Sequence, residues 1–308
     1  MQRLIVVVGP TAIGKSDLAL HLAERFGGEI VDADSRQAYR FMDIGTAKPT
    51  IAERARVTHH LVDVVAPGEE FTLATYQNLA YAAIGEIHGR GRLPLLVGGS
   101  GLYVRAVVDG MLIPRVPPSP LLRAELEARA SQDGAQALYE ELAVVDPIAA
   151  AKIDARNVRR VIRALEVYRL SGTPISELQT CQAPPYRILI IGLTAPRDVL
   201  YRRIDERVDK LIEMGLVQET RDLVGRGYSR ALPAMSSLGY GQICMFLRGE
   251  IGLDQAIQLV KNDTHRFARQ QYNWFRPGDP RIHWLDITRD FLEPASSLVC
   301  GFISKGVV

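Results

Sequence analysis

The sequence predicts an α/β fold in which a parallel sheet is flanked by helices and interrupted by a helical insertion. Three observations carry that prediction. Short apolar runs alternate with helix-period segments, the first run opens into a glycine-bounded loop followed by a helix, and prolines fence off a stretch that is helical throughout. With 308 residues, 47% hydrophobic and 23% charged, the chain can form one large domain or two modest ones. Disorder, collagen-like repeats and coiled coil are excluded.

Taken in order, residues 4–8 are apolar and rich in β-branched side chains, as a strand buried on both faces should be. Leu18, Leu22 and Phe26 recur at helical spacing and predict a helix over 17–26, stopped by Gly27 and Gly28. Residues 29–31 and 61–65 read as further strands and 72–90 as a helix. Residues 93–97 read as a strand that ends in Gly98-Gly99-Ser100-Gly101. Pro114, Pro117, Pro118 and Pro120 then open a breaker-rich junction, beyond which the pattern stays helical to about 171. Pro184 and Pro185 close that stretch, and 187–193 resumes strand character. The expected domains are therefore an α/β core of 1–114 and 187–308, with helices to about 276, and a helical insertion of 115–186.

The charge balance is 37 Lys and Arg against 35 Asp and Glu, a formal +2 that neither demands nor forbids a nucleic-acid partner. Cys181, Cys244 and Cys300 are far apart and lack a C-x-x-C pair, which argues against a disulfide framework or structural zinc and fits a reducing cytosol. The opening apolar run is too short for a signal peptide, and no later run reaches membrane-spanning length. The expectation is a soluble, cytoplasmic protein with no membrane partner.

Gly9-Pro10-Thr11-Ala12-Ile13-Gly14-Lys15-Ser16 matches G-x-x-x-x-G-K-[ST] between a strand and a helix. The glycines let successive N–H groups point at phosphate oxygens, and the helix presents its positive end to the same anion. Lys15 supplies a mobile charge, and the Ser16 hydroxyl suits a phosphate-bound Mg²⁺. The motif makes the sheet P-loop NTPase-like and marks a phosphate or pyrophosphate ligand, without deciding whether that ligand is ATP. A motor ATPase would carry a metal-holding aspartate after an apolar strand, where this chain has Gly98-Gly99-Ser100-Gly101. Asp32 and Asp34 follow the second strand at its carboxyl end, where ligands of open α/β sheets gather. A carboxylate there holds metal, takes a proton from a nucleophile, or caps a turn.

Further blocks follow the phosphate loop. They are Asp32 to Tyr39, Met42 to Pro49, His59 to Asp63 and Gly98 to Tyr103. Arg159-Arg160, Arg163 to Val167, Met214-Gly215-Leu216, Leu238-Gly239-Tyr240 and Trp274-Phe275-Arg276 continue them. Together, in order and over nearly the whole chain, they resemble the bacterial tRNA dimethylallyltransferases. The resemblance implies transfer of a dimethylallyl group from dimethylallyl diphosphate to the exocyclic N6 amine of the adenosine 3′ to the anticodon in tRNA. It also implies a Mg²⁺ requirement and a phosphate loop that grips the prenyl donor's diphosphate. By the same resemblance Asp34 takes the amine's proton, while Ser100, where the family usually has Thr, and Arg207 assist the leaving diphosphate. Ser35, Arg36 and Gln37 are then candidates for contact with the anticodon-loop bases.

Arg203, Arg207 and Lys210 share one helix face, which spacing alone reads as a solvated charged face. Arg156, Arg159, Arg160 and Arg163 cluster on another face with no carboxylate among them, opposite Val158, Val161, Ile162, Leu165 and Tyr168. Such a face suits an RNA backbone. Arg266, Arg269, Gln270, Gln271, Trp274 and Arg276 are expected on one C-terminal helix, with Arg269 toward RNA. Tyr240 is expected to stack or hydrogen-bond there. Gly241 and Gln270 depart from residues seen in relatives, and Trp274 and Trp284 read as core. His59 and His60 lack metal-ligand spacing. One chain carries a whole site, so a monomer is expected. The competing readings are a small-molecule kinase, a prenyltransferase acting on free AMP or ADP, and a non-catalytic RNA-binding NTPase module.

Overall fold

The computed structural model describes residues 2–304. β1 (Gln2–Val8), α1 (Lys15–Phe26) and β2 (Gly28–Asp32) open the chain, followed by α2 (Ile51–Arg56), β3 (His59–His60), α3 (Leu73–Gly89), β4 (Leu93–Val97) and α4 (Gly101–Val108). Next come α5 (Pro120–Gln132), α6 (Ala135–Val145), α7 (Pro147–Ala150), α8 (Val158–Ser171) and α9 (Ile175–Leu178). The sheet resumes with β5 (Tyr186–Thr194), then α10 (Arg197–Glu213), α11 (Leu216–Gly225), α12 (Tyr240–Leu247), α13 (Leu253–Gln271), β6 (Ile282–Asp286) and α14 (Leu292–Ser304). All described sheet pairings are parallel, in the order β3-β2-β4-β1-β5-β6.

β1 lies inside the sheet, which is why its apolar run is unbroken. Ile5 and Val7 pack on one face with Leu18 and Leu22 of α1, while Leu4, Val6 and Val8 pack on the other with Ile84 and Ile87 of α3. Each such fully buried side chain contributes about 1.5–3 kcal/mol of transfer free energy. Thr72 caps α3 by accepting the N–H of Thr75, and the capping box of Thr50 with Glu53 starts α2.

The chain divides into two compact units, 1–108 with 185–308, and 109–184. The second has a core of its own, with Leu126, Leu138, Leu142, Val161 and Leu165 fully buried. At its centre the Glu166 side chain, 0% exposed, accepts from the Ser119 N–H at 2.7 Å, from Arg123 at 2.9 Å and from Arg163 at 2.5 Å.

Two sequence expectations fail. The apolar run 61–65 is a loop, because Leu61 (φ 67°) and Asp63 (φ 59°) turn left-handed and Asp63 is bound by Lys48 and Arg54. Only Val65 of that run makes a β-bridge, to Tyr39. The chain also does not finish with helices near 276, since β6 pairs with β5 at the sheet edge and α14 packs Ala295 and Val299 into the core.

Candidate active site

The phosphate loop joins β1 to α1. Gly9 takes φ 143°, and a Cβ there would lie 2.6 Å from the Leu193 carbonyl oxygen, so the close approach of β5 requires glycine. α1 begins after Gly14 with no side-chain cap, leaving its first N–H groups for an anion. The Lys15 ammonium donates to the Pro10 carbonyl at 2.8 Å, and Arg203 closes the loop's outer side by donating to the Ala12 carbonyl at 2.9 Å. Burial lowers the Lys15 pKa to about 8, helped by the Arg207 charge and opposed by Asp34 and Asp32.

A cavity of about 890 Å³ contains Thr11 to Asp17, Asp32, Asp34, Arg203 and Arg207 in its lining. A second cavity, of about 450 Å³, is lined by Ser35, Arg36, Gly45, Thr46, Ser100, Tyr103 and Trp274 among others. Thr11, Asp34, Gly99, Arg207, Leu211, Phe267 and Gln271 line both. Asp34 is half-buried after β2, and its Oδ1 accepts the Arg36 N–H at 2.8 Å, the turn role foreseen as one option. Asp34 is one of the residues that line both cavities. Ser100, beyond β4, accepts the Ser35 N–H at 3.0 Å, while Gln37 donates to the Thr46 and Ala47 carbonyls at 3.2 Å, keeping its own carbonyl oxygen as an acceptor. Burial lowers the pKa of Arg207, and Asp34 opposes that shift. The solvated face foreseen from spacing therefore holds for Arg203 and Lys210, which are exposed, and not for Arg207.

A divalent cation suits the donor set. The Asp32 side chain is buried with Oδ2 lacking any partner, and Ser16 lines the same cavity. Burial and then the Asp34 charge push the Asp32 pKa well up, and the Lys15 charge opposes them only in part. These are hard oxygen ligands. Among the described residues there is no cluster of three or more His, Cys, Asp or Glu for a metal, and Asp32 and Ser16 are oxygen donors this cavity offers beside a bound phosphate.

Several expectations need correction. Tyr240 is 0% exposed and its hydroxyl donates to Glu219 at 2.6 Å, so it is core and does not offer a stacking face. Its pKa is raised by burial and then by the Glu219 charge. Arg156 precedes α8 and pairs with Asp154 at 2.6 Å, holding that carboxyl down at about 2. Arg163 is committed to Glu166, a carboxylate on its own helix, and to the Val116 carbonyl. Arg159 and Arg160 remain exposed on α8. α13 ends at Gln271, so Trp274 and Arg276 lie beyond it. Arg269 is exposed and donates to the Tyr201 hydroxyl at 2.5 Å. Trp284 is half-buried on β6 with an unpartnered Nε1, and Trp274 is half-buried against Gly101. His59 Nδ1 donates to the Val57 carbonyl at 2.8 Å and lines the larger cavity, whereas His60 meets Glu29 at 2.7 Å.

Gln271 was not foreseen as a site residue. Only 3% exposed, it accepts the Thr11 N–H at 2.8 Å and donates to the Gly99 carbonyl at 2.8 Å, tying the phosphate loop to the end of β4. A polar residue among the buried Ala256, Val260 and Ala268 of α13 is the signal that could have found it.

The model of the IPP transferase family matches residues 37–278, and that of isopentenyl transferase matches residues 2–63. A tRNA dimethylallyltransferase of Roseiflexus castenholzii is 58% identical over 273 residues, 89% of each chain. A crystal structure of the tRNA isopentenylpyrophosphate transferase from Bacillus halodurans is 42% identical, with a TM-score of 0.73, covering 99% of this chain and 96% of that one. A eukaryotic dimethylallyltransferase captured acting on tRNA is 28% identical, with a TM-score of 0.86, over 99% of this chain and 80% of that one.

Proposed function

The chain belongs to the IPP transferase family, and on that premise we propose how its residues carry out dimethylallyl transfer to tRNA. The donor is dimethylallyl diphosphate, and the acceptor is the exocyclic N6 amine of the adenosine 3′ to the anticodon. The observation that supports this reading most is that Asp34 and Arg207 line both cavities, one bearing the phosphate loop and the other bearing Ser35, Arg36 and Ser100. The donor's diphosphate occupies the larger cavity against residues 9–16. The base enters the smaller one after leaving the anticodon-loop stack.

An adenine amine is a poor nucleophile because its lone pair is delocalised into the ring. Asp34 accepts its proton as the new C–N bond forms and the donor's C–O bond breaks, and the electron pair leaves with diphosphate. Lys15, Arg207 and the Ser100 and Thr11 hydroxyls face the charge that develops on that leaving group. Ser16 and Asp32 would hold Mg²⁺, which when bound neutralises part of the diphosphate charge. Arg159 and Arg160 meet RNA phosphates from the 109–184 unit, and Arg269 does so from the sheet unit. Among the described residues no helix is long and apolar enough to cross a membrane.

The test is incubation with labelled dimethylallyl diphosphate, Mg²⁺ and either an anticodon stem–loop or AMP. Label should enter the stem–loop only, and comparable labelling of AMP would reject the RNA assignment. Asp34→Asn should cut turnover by about 10²–10⁴ while RNA affinity holds. Retained turnover would remove Asp34 from the role of base.

A further inference from the structure

Three sequence blocks with no part in the chemistry above meet in space: residues 43–49, 214–216 and 238–240. Glu219 of α11 joins them. Its Oε2 accepts the N–H groups of Asp43 and Ile44, each at 2.8 Å, and its Oε1 accepts the Gly45 N–H at 3.1 Å and the Tyr240 hydroxyl at 2.6 Å. Three successive amides converging on one carboxylate make an anion nest whose anion is built into the protein. Gly45 has no room for a side chain, since a Cβ would lie 2.5 Å from the Tyr240 ring and 2.8 Å from Leu216.

The clamped segment leads directly to the candidate acceptor cavity. Gly45 and Thr46 line that cavity, and the Thr46 and Ala47 carbonyls hold the Gln37 amide. No hydrogen bond described for Glu219 or Tyr240 reaches residues 9–16, so the clamp does not bind the phosphate loop itself, although Gln37, Asp43, Ile44 and Ala47 border the larger cavity that the loop lines. We propose that Glu219 and Tyr240 are positioning residues for the acceptor: they fix residues 43–47 so that Gln37 and the cavity wall are already in place when the base arrives. This inference rests on the RNA reading above. Its physical basis is pre-organisation, in which charge-assisted hydrogen bonds order the segment before binding rather than during it.

Glu219→Gln keeps the size of the side chain but turns one acceptor into a donor facing other donors. It should weaken stem–loop binding about tenfold and lower kcat/KM for the stem–loop at least as much. KM for dimethylallyl diphosphate and the affinity for inorganic diphosphate with Mg²⁺ should stay within about twofold. Tyr240→Phe removes only one of four donors and should move the same quantities by a smaller factor. Intact diphosphate binding reports that the variants are folded. Equal losses toward both substrates, loss of diphosphate binding, or unchanged stem–loop affinity in Glu219→Gln would each overturn the proposal. If the wild-type protein labels no RNA, the proposed function fails, while the clamp is still judged by stem–loop affinity in the same variants.

Discussion

Lys15 sits where burial and the charge of Arg207 outweigh the attraction of Asp34 and Asp32, so its pKa falls from 10.5 to about 8. In the window between those values the unfolded chain binds more protons than the folded one. Stability therefore gains from this group as pH rises from about 8 toward 10.5. Ligand binding has the opposite demand, because a diphosphate favours the charged ammonium. Diphosphate affinity should fall as pH climbs through about 8, and binding just above that pH should take up a proton. Calorimetry in two buffers of different ionisation enthalpy measures the uptake. Lys15→Met should abolish it, and uptake that persists in this variant would place the titrating group elsewhere.

On α8, three neighbouring arginines divide into two kinds. Arg163 is part of an internal ion-pair network with Glu166 and Arg123, whereas Arg159 and Arg160 are exposed, with no carboxylate partner among the described residues. Helical periodicity places arginines on a face, but it cannot say which of them are already neutralised by neighbours. Arg159→Ala and Arg160→Ala should each weaken stem–loop binding and reduce the slope of log K against log salt by about 1. An unchanged slope in the double variant would remove this face from the RNA interface. Arg163→Ala should instead lower the melting temperature.

The two compact units carry separate cores, the sheet packed on both faces and the 109–184 helices gathered around Leu126, Leu138 and Leu142. Glu166 is wholly buried within the second of these. Removing one partner of a buried ion pair costs about 3–5 kcal/mol. Because Arg123 and Arg163 remain 39% and 30% exposed, the lower end applies here. Glu166→Ala should therefore melt 109–184 in a separate transition below that of the sheet unit, seen by calorimetry, with diphosphate binding preserved. A single transition shifted as a whole would mean that the units unfold together.

Local pattern was enough for the strands β1, β4 and β5, for α1 and α3, and for the phosphate loop, because each depends on spacing within a few residues. The family resemblance, also written in the chain, pointed to Asp34, Ser100 and Arg207 as site residues. Other features required the folded chain. Residues 61–65 have strand composition yet form a loop, in which Lys48 and Arg54 each hold one carboxylate oxygen of Asp63. Tyr240, Glu219 and Gly45 converge across almost two hundred positions, and Gln271 reaches 260 residues back to Thr11. Periodicity reports which way a side chain faces on its own element. Which donor meets which acceptor is settled only when distant elements pack and buried polar groups must find partners.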